Sequence, residues 1–236
     1  MPGRLYGLGV GPGDPELLTL KALRLLRSAP VVAYPAPEQG ESFARSIVEA
    51  WLEPRQREIP IPIPMRPGSP PVAVYDAAAE ALAAELEKGQ DVALLCQGDP
   101  FFYGSFVHLW TRLTPRYRVE VIPGVCSLAA CAAASATPLV AYDEALVVLP
   151  ATLSEAELAR RLAGADAAAI VKLGRHFAKV HRVLGALGLL DRACYVERAT
   201  LPNQRLAPLD SVDAASVPYF SMALIRRRQL RPDSPV

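Results

Sequence analysis

The chain has 236 residues, of which 51% are hydrophobic and 21% are charged. This composition is typical of a soluble globular enzyme and excludes a disordered, collagen-like or disulfide-stapled chain. Because 25 Lys and Arg side chains balance 24 Asp and Glu side chains, no overall field attracts nucleic acid or a membrane, and recognition of charge must be local. The four cysteines show no CxxC spacing, which favours reduced thiols in the cytoplasm over disulfides or a metal site.

Two stretches could be mistaken for a secretion signal or a membrane span. Glycines interrupt the apolar stretch after the first residues, so it does not fit a signal peptide. The uncharged segment 121–142 is built from small residues and contains Pro123, Gly124 and Pro138. It therefore predicts a buried helix after a turn, because a membrane span needs about 20 strongly apolar residues. We expect a cytoplasmic protein with no membrane partner.

Apolar strands and amphipathic helices alternate through the first half of the chain. Apolar runs predict strands at 5–10, 31–34, 91–96 and 118–122. Helical spacing and caps predict helices that begin at Asp14 and near Phe43, and that span 75–88 and 104–113. Strands that alternate with helices indicate a parallel sheet with right-handed crossovers.

A proline-rich segment at 60–71 interrupts this alternation. Proline cannot donate to a strand ladder, so the segment is an edge strand or an extended polyproline stretch and never a central strand. Its PxxP spacing also fits a docking motif, but the interpretation that we favour is a stiff loop beside an active site.

The alternation restarts after Pro123-Gly124, which is the best candidate for a domain boundary. Further strands are predicted at 145–149, 168–173, 193–197 and 219–225. Helices are predicted at 127–136, after the capping box that begins at Ser154, and along an apolar face from Phe177 to Leu187. The sequence therefore predicts an α/β fold with two α/β domains, residues 1–122 and 123–236. The arginines at 226–228 and the tail after them are typical of solvated chain, with a nucleic-acid-binding arm as the alternative.

The segment from Gly7 to Asp14 is a glycine-rich loop between the first strand and the first helix. It lacks the Lys-Ser/Thr of a Walker loop, and Pro12 occupies the third glycine position of a dinucleotide fingerprint. Neither phosphate-binding motif is therefore present. The glycines still indicate a close approach of the backbone to a ligand or to a crossing chain segment.

Two further segments follow predicted strands and carry candidate binding residues. In Gln97–Gly104, aromatic side chains that can stack on a flat ring flank Asp99, although Asp99 could instead cap the next helix. In the segment 122–127, Cys126 has no histidine nearby in sequence to activate it as a nucleophile. His176 and His181 are five apart, so they do not share the helix face that a metal requires. This pattern suits a reaction in which a reactive cosubstrate supplies the driving force and the protein positions it.

Three blocks, GVGPGDPELLT at 9–19, GDPFFYG at 98–104 and IPGVCS at 122–127, resemble the signature blocks of the tetrapyrrole methyltransferases. These S-adenosylmethionine enzymes contribute to the synthesis of cobalamin and sirohaem, and the resemblance covers nearly the whole chain. Five other segments resemble the branch that methylates the C20 bridge carbon of precorrin-2: 46–49, the Ile-Pro-Ile-Pro-Met block, 171–176, 197–200 and 218–222.

The resemblance implies methyl transfer to C20 of precorrin-2, with no metal required by the protein. The alternatives are cobalt-factor II as substrate, another carbon of the ring, or the methylation of a modified histidine during diphthamide synthesis. A non-catalytic carrier of a tetrapyrrole or a nucleotide is a further alternative. The residues identify no catalytic base.

The resemblance also implies two α/β domains with the cosubstrate in the cleft between them, and usually a homodimer. The N-terminal domain would border the substrate trough and the C-terminal domain would complete the cosubstrate site. Carried over by motif, the S-adenosylmethionine contacts are Pro12, Gln97, Gly98, Asp99, Phe102, Tyr103, Cys126, Ser127, Leu173 and Ala199. Cys126 stands where a small hydroxyl residue is expected. Candidate cations for the substrate carboxylates are Arg66, Lys172, Arg175, Arg198 and Arg205.

Overall fold

The computed structural model describes residues 1–63 and 72–227. These residues form two compact units, which meet in sequence between Cys126 and Ser127. This division follows the Pro123-Gly124 turn by a few residues. We refer to the parts as unit 1, which ends at Cys126, and unit 2, which begins at Ser127. Each unit has its own sheet and its own apolar core.

Unit 1 contains a five-stranded sheet in which every neighbouring pair is parallel, as the sequence predicts. The strand order is β3-β2-β4-β1-β5. The strands are β1 (Leu5–Gly9), β2 (Val31–Ala36), β3 (Arg57–Pro62), β4 (Val92–Cys96) and β5 (Val119–Ile122). The helices are α1 (Leu20–Ser28), α2 (Phe43–Val48), α3 (Val72–Glu87) and α4 (Phe106–Leu113). Apolar side chains of α3 and α4 cover one face of the sheet, and those of α1 and α2 cover the other.

Unit 2 contains a mixed five-stranded sheet with the order β6-β7-β10-β8-β9. Its strands are β6 (Leu146–Pro150), β7 (Ala167–Val171), β8 (Ala193–Glu197), β9 (Arg205–Pro208) and β10 (Ser221–Arg226). Its helices are α5 (Ser127–Ala134), α6 (Glu155–Leu162) and α7 (Phe177–Ala186). In this sheet β6 and β7 pair in parallel, β10 inserts antiparallel between β7 and β8, and β9 pairs antiparallel with β8. The prediction of parallel pairing is therefore wrong for most of this sheet.

The first helix begins later than the sequence predicts. Asp14 caps a short 3-10 turn, Pro15–Leu17, by accepting a hydrogen bond from the Glu16 amide at 2.8 Å. The backbone is extended at the next residue, and Thr19 then caps α1 through the Ala22 amide at 3.1 Å. Two successive caps therefore divide the predicted helix into a turn and a helix.

The proline-rich segment enters the fold as the predicted edge strand. Its first three residues, 60–62, belong to β3 at the edge of the first sheet, where the missing proline donors face no further strand. Residues 64–71 lie outside the described residues.

The prediction that the arginines at 226–228 are solvated is wrong for the two that are described. The Arg226 guanidinium lies 2.6 Å from the Glu144 carboxylate, and the two side chains are 9% and 8% exposed. Arg227 donates to the carbonyl oxygens of Leu162 and Ala165. Both arginines therefore hold β10 to neighbouring loops. Each helix within the described residues is too short or too polar to cross a bilayer.

Candidate functional site

The carboxyl ends of β4, β1 and β5 lie side by side, because these strands are parallel neighbours in the first sheet. Three loops therefore emerge together: the glycine-rich loop at 10–14, the segment at 97–104 and the turn at 123–126. We call these segments the three-loop edge. In open α/β sheets such an edge is the usual place for ligands.

Glycines allow the backbones of these loops to touch. Gly11 and Gly98 exchange two backbone hydrogen bonds, of 2.7 and 3.3 Å, and both have positive φ, +83° and +67°. A Cβ at Gly9 would lie 2.5 Å from the amide nitrogen of Gly124, and one at Gly124 would collide with the carbonyl oxygen of Gly98. At Gly9 and Gly11 the backbone closely approaches a crossing chain segment, which is one of the two explanations that the sequence gives for the glycines of this loop.

Asp99 joins two of the three loops. Its Oδ1 accepts a hydrogen bond from the Phe101 amide at 2.9 Å, and its Oδ2 accepts one from the Gly124 amide at 3.0 Å. Asp99 is not the cap of the next helix, since α4 begins at Phe106. One carboxylate oxygen therefore supports the loop after β4, and the other fixes the turn after β5.

Aromatic side chains extend the same edge. Phe102 is half-buried and Tyr103 is exposed, and their rings meet edge to face with centroids 5.2 Å apart. Tyr103 has a positive φ of +56°, a conformation that non-glycine residues keep only where the surroundings enforce it. Pro12 is buried in the first loop, Gln97 is half-buried, and Cys126 is half-buried at the end of unit 1. Six more of the residues assigned by the resemblance thus share this edge with Asp99: Pro12, Gln97, Gly98, Phe102, Tyr103 and Cys126.

The remaining assigned residues lie in unit 2, where Ser127 is the first residue of α5. Leu173 and Ala199, both buried, follow the carboxyl ends of β7 and β8. The antiparallel strand β10 begins between these ends, and the Arg198 amide donates to the carbonyl oxygen of Phe220 at 2.9 Å. We call this the β7–β8 edge.

Backbone strain gathers at the β7–β8 edge. Lys172, Arg198 and Thr200 have φ values of +61°, +50° and +72°, although none of them is glycine. Such conformations cost about 1–3 kcal/mol each and cluster at ligand sites, where the surrounding structure holds them.

A buried carboxylate lies directly beside this strained backbone. Glu197 is 5% exposed, and its two oxygens accept hydrogen bonds from the Tyr195 hydroxyl at 2.5 Å and from Arg198 Nη1 at 2.7 Å. Burial raises the pKa of the Tyr195 hydroxyl well above its ordinary value, and the hydrogen bond to Glu197 raises it further. The hydroxyl therefore stays protonated and donates to the carboxylate.

Four of the five candidate cations belong to the β7–β8 edge or border it. Lys172 follows β7 and Arg198 follows β8. Arg205 lies opposite Glu197 in the register of the β8–β9 ladder. Arg175 is exposed in a 3-10 turn, Gly174–His176. Of these four, Arg198 is paired with the carboxylate of Glu197. The fifth candidate, Arg66, lies outside the described residues.

His176 is adjacent in sequence to one of these cations, Arg175. Burial lowers its pKa, and Lys179 and Arg175 lower it further, so the imidazole is neutral at pH 7. Among the described residues, no group of three or more His, Cys, Asp or Glu side chains is placed to hold a metal ion.

The sequence interpretation missed Glu197 and Tyr195. A signal was present, because Glu197 is the single charged residue in the otherwise apolar strand ACYVE. A charged residue at the end of a buried strand indicates a paired group.

The sequence model described as Tetrapyrrole (Corrin/Porphyrin) Methylases matches residues 4–213. The chain belongs to this family. It is 45% identical to a precorrin-2 C(20)-methyltransferase of Sinorhizobium sp, over 98% of each chain. It is 50% identical to the cobalamin biosynthesis protein CobIJ of Mycobacterium tuberculosis, over 97% of this chain but 47% of that protein. The chain thus spans about half the length of this relative.

A solved structure shares the fold. The uroporphyrin-III C-methyl transferase from Thermus thermophilus, complexed with S-adenyl homocysteine, is 27% identical and superimposes with a TM-score of 0.71. The match covers 95% of this chain and 98% of that one. The family and the fold class predicted from the sequence are therefore confirmed.

Proposed function

We propose that this chain transfers the methyl group of S-adenosylmethionine to the C20 bridge carbon of precorrin-2, which gives precorrin-3A in cobalamin biosynthesis. The observation that carries the proposal is the 45% identity to the Sinorhizobium precorrin-2 C(20)-methyltransferase over 98% of both chains. The three-loop edge supports it, because this is where an α/β sheet places a small-molecule ligand.

S-adenosylmethionine contacts the three-loop edge in this proposal. The contacts in unit 1 are Pro12, Gln97, Gly98, Asp99, Phe102, Tyr103 and Cys126. Ser127, Leu173 and Ala199 add contacts from unit 2. The bound S-adenyl homocysteine of the Thermus thermophilus relative supports this cosubstrate. The backbone of the loops suits hydrogen bonding to the adenosyl and methionine groups, and Phe102 and Tyr103 suit stacking on a flat ring.

The chemistry needs little from acidic or basic side chains. The sulfonium methyl group is already an activated electrophile, and the electron-rich C20 bridge attacks it in line. The new C–C bond forms as the S–C bond breaks, S-adenosylhomocysteine leaves, and C20 loses its proton. The chain contributes alignment of the two reactants and exclusion of water.

The substrate is a polycarboxylate, and Lys172, Arg175 and Arg205 are the proposed contacts for its carboxylates. The guanidinium groups of Arg175 and Arg205 suit this role because they form paired hydrogen bonds with carboxylate oxygens, and the Lys172 ammonium group contributes a positive charge. We further propose a cytoplasmic homodimer that holds no metal of its own and has no nucleic-acid or membrane partner. Light scattering after gel filtration tests the dimer.

The decisive experiment locates the transferred carbon. The protein is incubated anaerobically with precorrin-2 and S-adenosylmethionine that carries a ¹³C methyl group, and the product is examined by NMR. We expect one labelled methyl group on C20. Label on a pyrrole carbon would contradict the assigned position and leave methyl transfer intact.

A parallel reaction with cobalt-factor II distinguishes the metal-free substrate from the cobalt-containing one. Faster turnover of precorrin-2 supports the proposal. Failure to methylate either tetrapyrrole would contradict it. Tight tetrapyrrole binding without affinity for S-adenosylhomocysteine would instead indicate a carrier.

A further inference from the structure

The turn after β8 adopts a backbone that its sequence does not favour. Arg198 and Thr200 both have positive φ, and neither is a glycine or an asparagine. The residue between them, Ala199, is buried and its side chain is a single methyl group. A ligand at this turn would therefore contact the Ala199 backbone. A turn of this kind persists only where neighbouring groups hold it.

Glu197 holds this turn from inside the unit. Its carboxylate binds the Tyr195 hydroxyl through one oxygen and the Arg198 guanidinium through the other. Tyr195 is fully buried and its ring packs edge to face against Phe177, with centroids 6.0 Å apart. The chain of contacts therefore runs from the rigid core through Glu197 to the strained Arg198.

The ion pair between Glu197 and the partly exposed Arg198 is weak grounds for a role in stability alone, because solvent screens the exposed guanidinium. Its geometric effect is stronger. The carboxylate fixes the direction of the Arg198 side chain, while the Arg198 amide is bound to Phe220. Two hydrogen bonds therefore hold the turn at Arg198, one through its side chain and one through its backbone.

We infer that Glu197 is a positioning residue for S-adenosylmethionine, which holds the Arg198–Thr200 turn so that Ala199 meets the cosubstrate. This inference rests on the proposed function, in which Ala199 is one of the contacts. Glu197 itself contacts Tyr195 and Arg198, and it acts through them.

The test is the Glu197→Gln variant in the full chain. A glutamine has one carbonyl oxygen for two donors, so its NH₂ group faces either the Tyr195 hydroxyl or Arg198. We expect the affinity for S-adenosylhomocysteine, measured by calorimetry, to fall about tenfold, as the loss of one charge-assisted hydrogen bond gives. The KM for S-adenosylmethionine should rise by a similar factor, with kcat nearly unchanged.

The matched control is Glu144→Gln. Glu144 is also a buried carboxylate of unit 2 paired with an arginine, but its partner Arg226 lies at the opposite end of β10 from the turn. We expect this variant to lose thermal stability and to keep normal affinity for S-adenosylhomocysteine. Equal loss of affinity in both variants would overturn the inference.

A compensating variant separates positioning from direct contact. Glycine adopts positive φ without an anchor, so Glu197→Gln combined with Arg198→Gly should recover most of the lost affinity. No recovery would overturn the inference. If Glu197→Gln does not fold, Tyr195→Phe removes one anchor more mildly, and it must still weaken binding. Wild-type protein that does not bind S-adenosylhomocysteine would instead overturn the proposed cosubstrate itself.

Discussion

At the residue scale, the carbonyl oxygen of Gly98 has glycine backbone packed against it. An alanine at position 124 would collide with it, and backbone cannot move aside as a flexible side chain can. We predict that Gly124→Ala destabilises the protein by roughly 1–3 kcal/mol, as overpacking does. Urea denaturation measures this change.

Gly164 provides the control for that substitution. No heavy atom lies within 4 Å of a Cβ built there, and its φ is not positive. Gly164→Ala should be neutral or stabilise by about 0.4–1 kcal/mol. If both alanine variants unfold at the same urea concentration as the wild type, the three loops are not packed as described.

A substitution at Asp99 tests binding with less damage to folding than a substitution at Gly98. The positive φ of Gly98, +67°, would strain any side chain placed there. In Asp99→Asn, an NH₂ group replaces one acceptor and faces the Phe101 or the Gly124 amide. We predict that the affinity for S-adenosylhomocysteine falls about five- to tenfold, because the turn at 123–126 loses its support. Calorimetry measures the affinity.

Asp213→Asn is the matched control for Asp99. Asp213 also accepts a hydrogen bond from the amide two residues ahead, at 3.0 Å, but it is exposed in unit 2. Its substitution should leave the affinity unchanged. An Asp99→Asn protein that binds as tightly as the wild type would show that this carboxylate has no part in the site.

The sequence locates the residues of the three-loop edge but not their contacts. The blocks around Gly9, Gly98 and Gly124 are visible as motifs, yet their packing depends on β1 lying between β4 and β5. Glu197 is harder still to predict, because its function comes from the strained turn beside it. Sequence patterns report burial and propensity, and neither specifies a positive φ at Arg198.

At the element scale, α6 shows how much a cap contributes. Ser154 accepts a hydrogen bond from the Glu157 amide at 3.2 Å, as the capping box predicts. We predict that Ser154→Ala costs about 1 kcal/mol of stability in urea denaturation. The control is Ser46→Ala, since the exposed Ser46 lies within α2 and bonds to the Phe43 carbonyl; its cost should stay below about 0.5 kcal/mol. Equal costs would contradict the cap.

Glu157 gives the same helix a dependence on pH. Hydrogen bonds from Arg160 and Arg161 lower the pKa of its carboxyl group to about 2. A carboxyl whose pKa is lower in the folded state stabilises the protein above its unfolded pKa, and this contribution is lost as the pH falls toward 2. We predict that Glu157→Gln lowers the melting temperature slightly at pH 7 and has a smaller effect at pH 2.5. An equal effect at both pH values would contradict the pairing.

The elements themselves are largely predictable from hydrophobic period, whereas their directions are not. The strands of unit 1 follow the parallel pattern. In unit 2, β10 lies between β7 and β8 because of tertiary packing, which no local pattern encodes. The strand β9 has four largely exposed residues and no apolar alternation, so nothing in its sequence marks it.

At the scale of the whole molecule, the proposal assigns cosubstrate contacts to both units. Hydrogen exchange measured with and without saturating S-adenosylhomocysteine tests this assignment. We predict slower exchange at 97–104 in unit 1 and at 172–176 and 198–200 in unit 2, because a bound ligand suppresses local opening. The helix α6 serves as the internal control and should exchange at an unchanged rate.

Protection confined to one unit would remove the other unit's residues from the site. That outcome would leave the family and the fold untouched, since they rest on the match to residues 4–213. The sequence predicts a domain boundary at the Pro123-Gly124 turn, because the strand–helix alternation restarts there.

The position of β1 has a consequence for the order of folding. This strand precedes the other four strands of its sheet in the chain, yet in the finished sheet it lies between β4 and β5. Until the ribosome has released Ile122, β1 lacks one neighbour, and an apolar strand with an open edge invites pairing with other chains. The sheet of unit 1 therefore cannot be completed during early translation, and a nascent chain that stalls before β5 leaves one edge of the fully buried strand β1 exposed.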